Sequence, residues 1–404
     1  MSDNAANHLI RQITQESRHL GGIGRCRFGR RHFFALFIFM REVASIKQNK
    51  SKFSVLLLIL FSFWLMAFCL ILPEAAAQSA LRALFLCAKS VVPSLAVFMI
   101  CAKILIKTGF CEKLSRTPLR HLCPRLGISC GGLTAFLVGL ISGFPMGAVI
   151  LSELVLRGEI SKEEARQMMP FCNNAGPAFV IGTVGAAFFG SVSLGAVLFA
   201  AQTAAAVTAV LLTAKRRRMT GAAESILPAG HAPKQNISAA RIVSSSVSES
   251  ALSLVSVCGF IVFFTVLSDS FLVIWKRLDQ HSFGAILRGV FEISGGLSAL
   301  GETGEFPFAV LLAVCGGILG FGGISVWMQA ADRAEAGSIP MEGYLSGRML
   351  CSLLCALYAV LFGASPQKSF SSFAVILMLL AGLLLYAAVV SIKNKGFFKK
   401  RVEK

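Results

Sequence analysis

The residues best suited to chemistry stand where the chain's apolar stretches are interrupted. Glu292 lies inside the short apolar stretch 284–300, next to Ser294 and Gly295. Hydrocarbon cannot solvate a carboxylate, so one at membrane depth faces a cavity or a partner. Glu292 could hold a proton, a Na+ ion or a hydroxyl-rich solute, or it could pair with Arg288 one turn earlier. A second interruption, at 140–148, carries Ser142, Gly143 and Pro145. Proline removes a backbone donor and clashes with the preceding turn, while glycine admits conformations other residues avoid. Ile141-Ser142-Gly143 returns as Ile293-Ser294-Gly295. Asn173 and Asn174 precede Pro177, and Gly322-Gly323 precedes Ser325 and Gln329.

A helix broken inside a membrane exposes N–H groups and a partial positive charge at its new N-terminus, which Ser142 and Ser294 could cap. Such ends suit an anionic or polar solute, and unwound carbonyls can coordinate a cation. The candidate binding set is therefore Ser142, Gly143, Pro145, Asn173, Asn174, Pro177, Glu292, Ser294, Gly295, Gly323, Ser325 and Gln329. Structural readings stand beside it. The asparagines can be polar glue between helices, and the paired glycines can serve only close helix contact. Glu153 reads as interfacial, Lys89 as a snorkelling or helix-pairing lysine, and Lys103 and Lys107 as headgroup contacts.

Other chemistries lack their residues. The 12 cysteines contain no C-x-x-C, and Cys351 and Cys355 share one helix face as small packing residues. The 6 histidines form no H-E-x-x-H, and no P-loop is present. Without a nucleophile–base pair or a metal motif, the chain is not expected to be an enzyme. No cofactor or metal is expected either, beyond a coupling Na+ or H+.

The elements that must position these residues are membrane helices. The 404 residues are 55% hydrophobic and 15% charged, with mean hydropathy +0.72. Several runs exceed the ~18 residues needed to cross a hydrocarbon core. The expected fold is all-α, with about eight spans (53–72, 82–107, 168–189, 193–214, 248–274, 307–330, 344–363 and 370–392) and two re-entrant hairpins. Its divisions are a basic tail 1–52, a first span and loop 53–81, and a repeat 82–218 holding hairpin 131–156. A linker 219–247, a second repeat 248–363 holding hairpin 284–300, and a last span with basic tail 364–404 follow.

The net charge of +19 is concentrated at the flanks: ten Lys/Arg precede Phe53 and six follow Val390. That distribution marks cytoplasmic tails beside anionic lipid rather than a nucleic-acid surface. With both termini and the 215–218 cluster cytoplasmic, 131–156 must enter and leave on one side, and 284–300 must do so on the other. The halves then form one unit in opposite orientations, a transporter architecture. The surroundings are the cell membrane's lipid bilayer and the ligand an unidentified small solute; a homo-oligomer is compatible with such a fold.

Three motifs in order carry a resemblance: Ser142-Gly143-Phe144-Pro145-Met146-Gly147-Ala148, Asn174-Ala175-Gly176-Pro177, and Phe321-Gly322-Gly323-Ile324-Ser325-Val326 with Gln329. Over residues 82–392 the chain resembles the nucleoside recognition (Gate) domain family, and more narrowly the YlbJ-type sporulation integral membrane proteins of spore-forming Firmicutes. The resemblance implies a gate-like helical fold related to concentrative nucleoside transporters and to the membrane gate of ferrous-iron transporters. It also implies an association with endospore formation. The chain departs from the pattern at Trp327-Met328, where the family usually has a histidine before the glutamine, and in its long basic N-terminus. Two roles are expected: a transporter or gate for a small polar or nucleoside-like solute, or a non-transporting scaffold for spore-envelope or cortex assembly. A partner-driven ion or metal gate is a third.

Overall fold

A computed structural model describes residues 50–219, 238–274 and 282–363, and these are helical with short connections. The chain divides into two units, Met1–Leu70 and Ile71–Lys404. Of the first, helix α1 (Lys50–Ile71) is described; its uncharged stretch Val55–Ile71 is apolar but shorter than the other spans.

The second unit opens with α2 (Pro73–Leu86), which passes through one π-helical turn at Cys87–Val91 into α3 (Val92–Lys107). The wider turn has a local cause. In a regular helix the ring of Pro93 would strike the carbonyl of Lys89, four residues back. Short helices α4 (Phe110–Ser115) and α5 (Cys123–Leu126) lead to α6 (Cys130–Ser142), and the chain turns by 97° on entering α6. Ser129 caps α6 by accepting from Gly132 N.

The chain breaks at Gly143-Phe144-Pro145, where Gly143 takes φ +79 and the Phe144–Pro145 peptide is cis, and resumes as α7 (Met146–Leu156). Helix α8 (Lys162–Cys172) ends at Asn173, and a π-helix (Ala178–Phe188) continues beyond Pro177. Helix α9 (Val192–Met219) closes this half.

After the long α10 (Ala239–Ile274) the same order returns. Helices α11 (Ser282–Phe291) and α12 (Ile293–Thr303) are broken only at Glu292. Then α13 (Phe308–Phe321) and α14 (Gly323–Ala336) are broken at Gly322, and α15 (Tyr344–Gly363) ends the described chain.

The interrupted pairs α6–α7 and α11–α12 fold back as hairpins. An ideal Cβ on Gly139 would lie 3.2 Å from Gly147 Cα, and one on Gly296 would overlap Gly289 and stand 3.1 Å from Ala285 O. The open ends of the hairpins keep different company. Around the first, Ser129 N donates to Glu164 (2.6 Å), Arg157 to Ile106 O, and Ser152 to Arg333 O. Around the second, Arg288 meets Asp269 at 2.9 Å, and a Cβ on Gly301 would stand 2.6 Å from Phe188 O. Asp269 lies near the far end of α10, well past Glu249, and Phe188 ends the π-helix that follows α8, whose first turn carries Glu164.

Among the described residues, five helices are long and apolar enough to cross a membrane, or six if the bent pair Pro118–Leu126 + Cys130–Ser142 counts as one. Their outward residues, such as Phe85, Val97, Leu252, Leu353 and Leu361, are large, apolar and exposed, a surface for lipid rather than water.

Several expectations change. The span expected at 168–189 is not continuous: Pro170 lies inside α8, and the backbone leaves the helix from Asn173 to Gly176. The residues expected as linker 219–247 are helical from Ala239, and within that helix Ser245 donates to Ile242 O of its own preceding turn. The second hairpin is longer than 284–300, running over Ser282–Thr303. Lys103 is not at a headgroup: it is buried, 3.0 Å from Glu249 and 3.8 Å from Glu153. Span 370–392 lies outside the described residues.

Candidate functional site

The hairpin tips and helix breaks meet inside the second unit, and sequence pattern explains why each can approach so closely. A Cβ on Gly139 or Gly147 would run into the carbonyl of Cys172, and one on Gly143 would reach Gly176 N at 2.8 Å. The first tip therefore rests on the first helix break. A Cβ on Gly323 would lie 3.2 Å from Phe291 O, so the second tip rests on the second break. Gly322 and Gly323 hold φ +86 and +82, a left-handed pair that reverses the chain between α13 and α14.

At this junction lies a cavity of about 30 Å³, lined by Phe144, Gly176, Glu292, Ser294 and Gln329 among others. Glu292 is buried and caps α12: its Oε2 accepts from Gly295 N at 2.7 Å. The carboxylate thus faces the positive end of a helix rather than Arg288. Arg288 is bonded to Asp269, so of the two readings of Glu292 the ion pair with Arg288 is not the one found. Gln329 Nε2 donates to Ser325 Oγ at 3.1 Å, which leaves its buried Oε1 without a partner. A volume of ~30 Å³ is about one water's share of liquid. The cavity has room for water or a bare cation.

The sequence-selected residues thus separate into three groups. Glu292, Ser294 and Gln329 line the cavity, and Ser325 orients the glutamine. Gly143, Pro145, Pro177 and Gly323 shape the breaks, while Gly295 lines a neighbouring vestibule. Asn173 and Asn174 do not line the cavity. Asn173 Nδ2 donates to the Tyr344 hydroxyl (3.0 Å), and Asn174 Nδ2 to Phe171 O (2.6 Å). Neither serine is an N-cap: Ser142 is the last residue of α6, Pro145 precedes α7, and Glu292 holds the capping place before α12.

The residue that sequence reasoning passed over is Arg348. It comes from α15 and is fully buried. Its Nη1 donates to Pro170 O (3.1 Å), Asn173 O (2.8 Å) and Asn174 Oδ1 (3.3 Å), all at the C-terminal end of α8. Its Nε and Nη2 donate to Phe321 O (2.9 Å) and Leu319 O (3.2 Å), at the C-terminal end of α13. One guanidinium therefore satisfies the orphan carbonyls of both broken helices and sits between two negative helix ends. The Phe144 ring of the first hairpin tip lies 5.8 Å from its centre, a cation–π contact. Among the described residues no carboxylate pairs with it. Its signal in the sequence was a lone charge inside the 20-residue apolar helix α15.

Helices long enough to span, packed around hairpins and interrupted helices, define a multi-pass helical membrane protein. The chain is similar to the sporulation integral membrane protein YlbJ of Bacillus subtilis (strain 168), 27% identical over 344 residues, which cover 78% of this chain and 84% of that protein. The likeness runs through most of both chains, and the two proteins are homologues. No family model matches the chain. No solved structure matches it either.

Proposed function

We propose that this chain is a secondary transporter or gate for a small polar or nucleoside-like solute, acting in endospore formation. The observation that carries the reading is the buried Glu292 carboxylate at a helix N-terminus, beside the unpartnered Gln329 oxygen, where two hairpin tips and two helix breaks converge. Soluble-type packing would not leave such groups in an apolar interior without a ligand or water to meet them. We read the halves as a Gate-like inverted repeat with cytoplasmic termini. The matching order of elements and the different ends from which the hairpins enter support that reading.

Two larger recesses support alternating access. One, of about 500 Å³, borders α12; the other, of about 200 Å³, lies beside Arg166, Pro170 and Gly343. The ~30 Å³ cavity where the tips and breaks meet is narrow, so a solute passes only when a tip lifts. Glu292→Gln keeps an oxygen to cap α12 but removes the charge. It is expected to insert and fold normally while abolishing solute uptake into proteoliposomes. Unchanged uptake would overturn the assignment of this site. A second reading, a spore-envelope or cortex scaffold, is favoured by the smallness of the cavity and by the name of the homologue, which speaks of sporulation and not of transport. A screen of nucleosides, amino acids, dicarboxylates and divalent metals for thermal stabilisation separates them: a hit lost in Glu292→Gln selects transport, and a blank screen selects the scaffold.

A further inference from the structure

We propose that the vestibule of about 500 Å³ beside α12 binds a phosphate-bearing molecule through Lys89, Arg82 and Arg288. The recess is separate from the Glu292 cavity, although Ser294 and Gly295 lie back to back between the two. Its size suits an organic solute or a headgroup, since ligand pockets run from ~300 to 1,000 Å³. Three cationic side chains line it against two acidic ones, Asp269 and Glu302. Asp269 is buried and shared, with Arg82 at 2.8 Å and Arg288 at 2.9 Å, so one carboxylate serves two guanidinium groups. Glu302 lies 3.5 Å from Ser298 Oγ.

Lys89 has no hydrogen-bond or ion-pair partner among the described residues, yet it is held on the π-helical turn that Pro93 imposes and lines the recess. π-turns inside helices recur at functional sites because they redirect side chains. Thr265 adds a buried hydroxyl that has no partner. Carboxylate-bridged guanidiniums, an ammonium on a fixed turn and a spare hydroxyl form a donor-rich wall. Phosphate, with three accepting oxygens and more than one charge, is the ligand that uses such donors most fully. The phosphate can belong to a free solute or to a lipid headgroup; the chemistry of recognition is the same.

The test is thermal unfolding of the full chain in neutral detergent with glycerol 3-phosphate, and with glycerol as its uncharged match. Only the phosphate is expected to raise the midpoint. Lys89→Gln should weaken its apparent affinity about tenfold or more, the usual scale for a lost charge-assisted hydrogen bond, and Lys89→Arg should restore it. Arg82→Gln reads the same contact if Lys89→Gln cannot be purified. A shift in detergent makes a free organic phosphate the ligand. A shift confined to nanodiscs of phosphatidylglycerol, absent in phosphatidylcholine and lost in Lys89→Gln, makes it a lipid headgroup. No shift in either setting, or a shift unchanged in Lys89→Gln, overturns the proposal. Glu292→Gln should leave this binding intact, so the result does not depend on the transport reading.

Discussion

Arg348 is the side chain that joins the two halves. It brings five acceptors from two broken helices onto one planar group, a task its fork of donors suits and an ammonium does not. Arg348→Met leaves those carbonyls buried and unpaired. We expect a loss on the order of 3–5 kcal/mol, read by thermal or denaturant unfolding in detergent. Arg348→Lys should recover less than half of it. Asn174→Ala removes one acceptor of Arg348 and the bond to Phe171 O, so it should cost about 1 kcal/mol and lower uptake with it. A normal uptake rate in Asn174→Ala would show that the clasp tolerates its loss. That Arg348 is charged and intramembrane was legible in the sequence. Its partners are carbonyls 27 to 178 residues away, and a carbonyl carries no residue-type signal.

At the scale of elements, the hairpins depend on glycine where their arms cross. Gly296→Leu would drive a side chain into Gly289 and is expected to cost about 2 kcal/mol or more, seen as a lowered unfolding midpoint. Gly182→Ala is the control: nothing lies within 4 Å of its Cβ, and stability should hold. The break at Gly143–Pro145 was readable from proline and glycine chemistry, as was the close packing of Cys351 and Cys355, whereas the break at Gly322 falls inside 307–330, which was expected as one span. These two cysteines are buried, and their carbonyls face Gly320 and Gly316. The break in 168–189 was not read, since its apolar composition outweighed Asn173-Asn174 and Pro177. Nor was the early start of α10, since serine marks a linker and a helix face alike until its hydroxyl finds a carbonyl.

At the scale of the molecule, the inverted reading makes a prediction that no single site can supply. Single cysteines replacing Lys162 and Glu305, in a background without native cysteines, should react with an impermeant maleimide from opposite sides of the membrane. Labelling from the same side would remove the inverted repeat. Both positions stand at hairpin-flanking turns, and their neighbours already differ: Glu164 meets the first hairpin's base, and Gly301 meets Phe188 at the second's.

From the sequence alone came the membrane class, the helical content, the hairpins and the approximate places where helices break. These follow from hydropathy, charge distribution and backbone chemistry, all of which are local. Which broken ends meet was decided only by tertiary structure. Three of the selected residues line a small cavity, two were drawn instead to a buried arginine, and Asp269 rather than Glu292 took Arg288. The physical reason is that buried polar groups choose partners by geometry across the whole chain. Hydrogen bonds in an apolar interior reward whichever donor and acceptor packing brings together, whatever their separation in sequence.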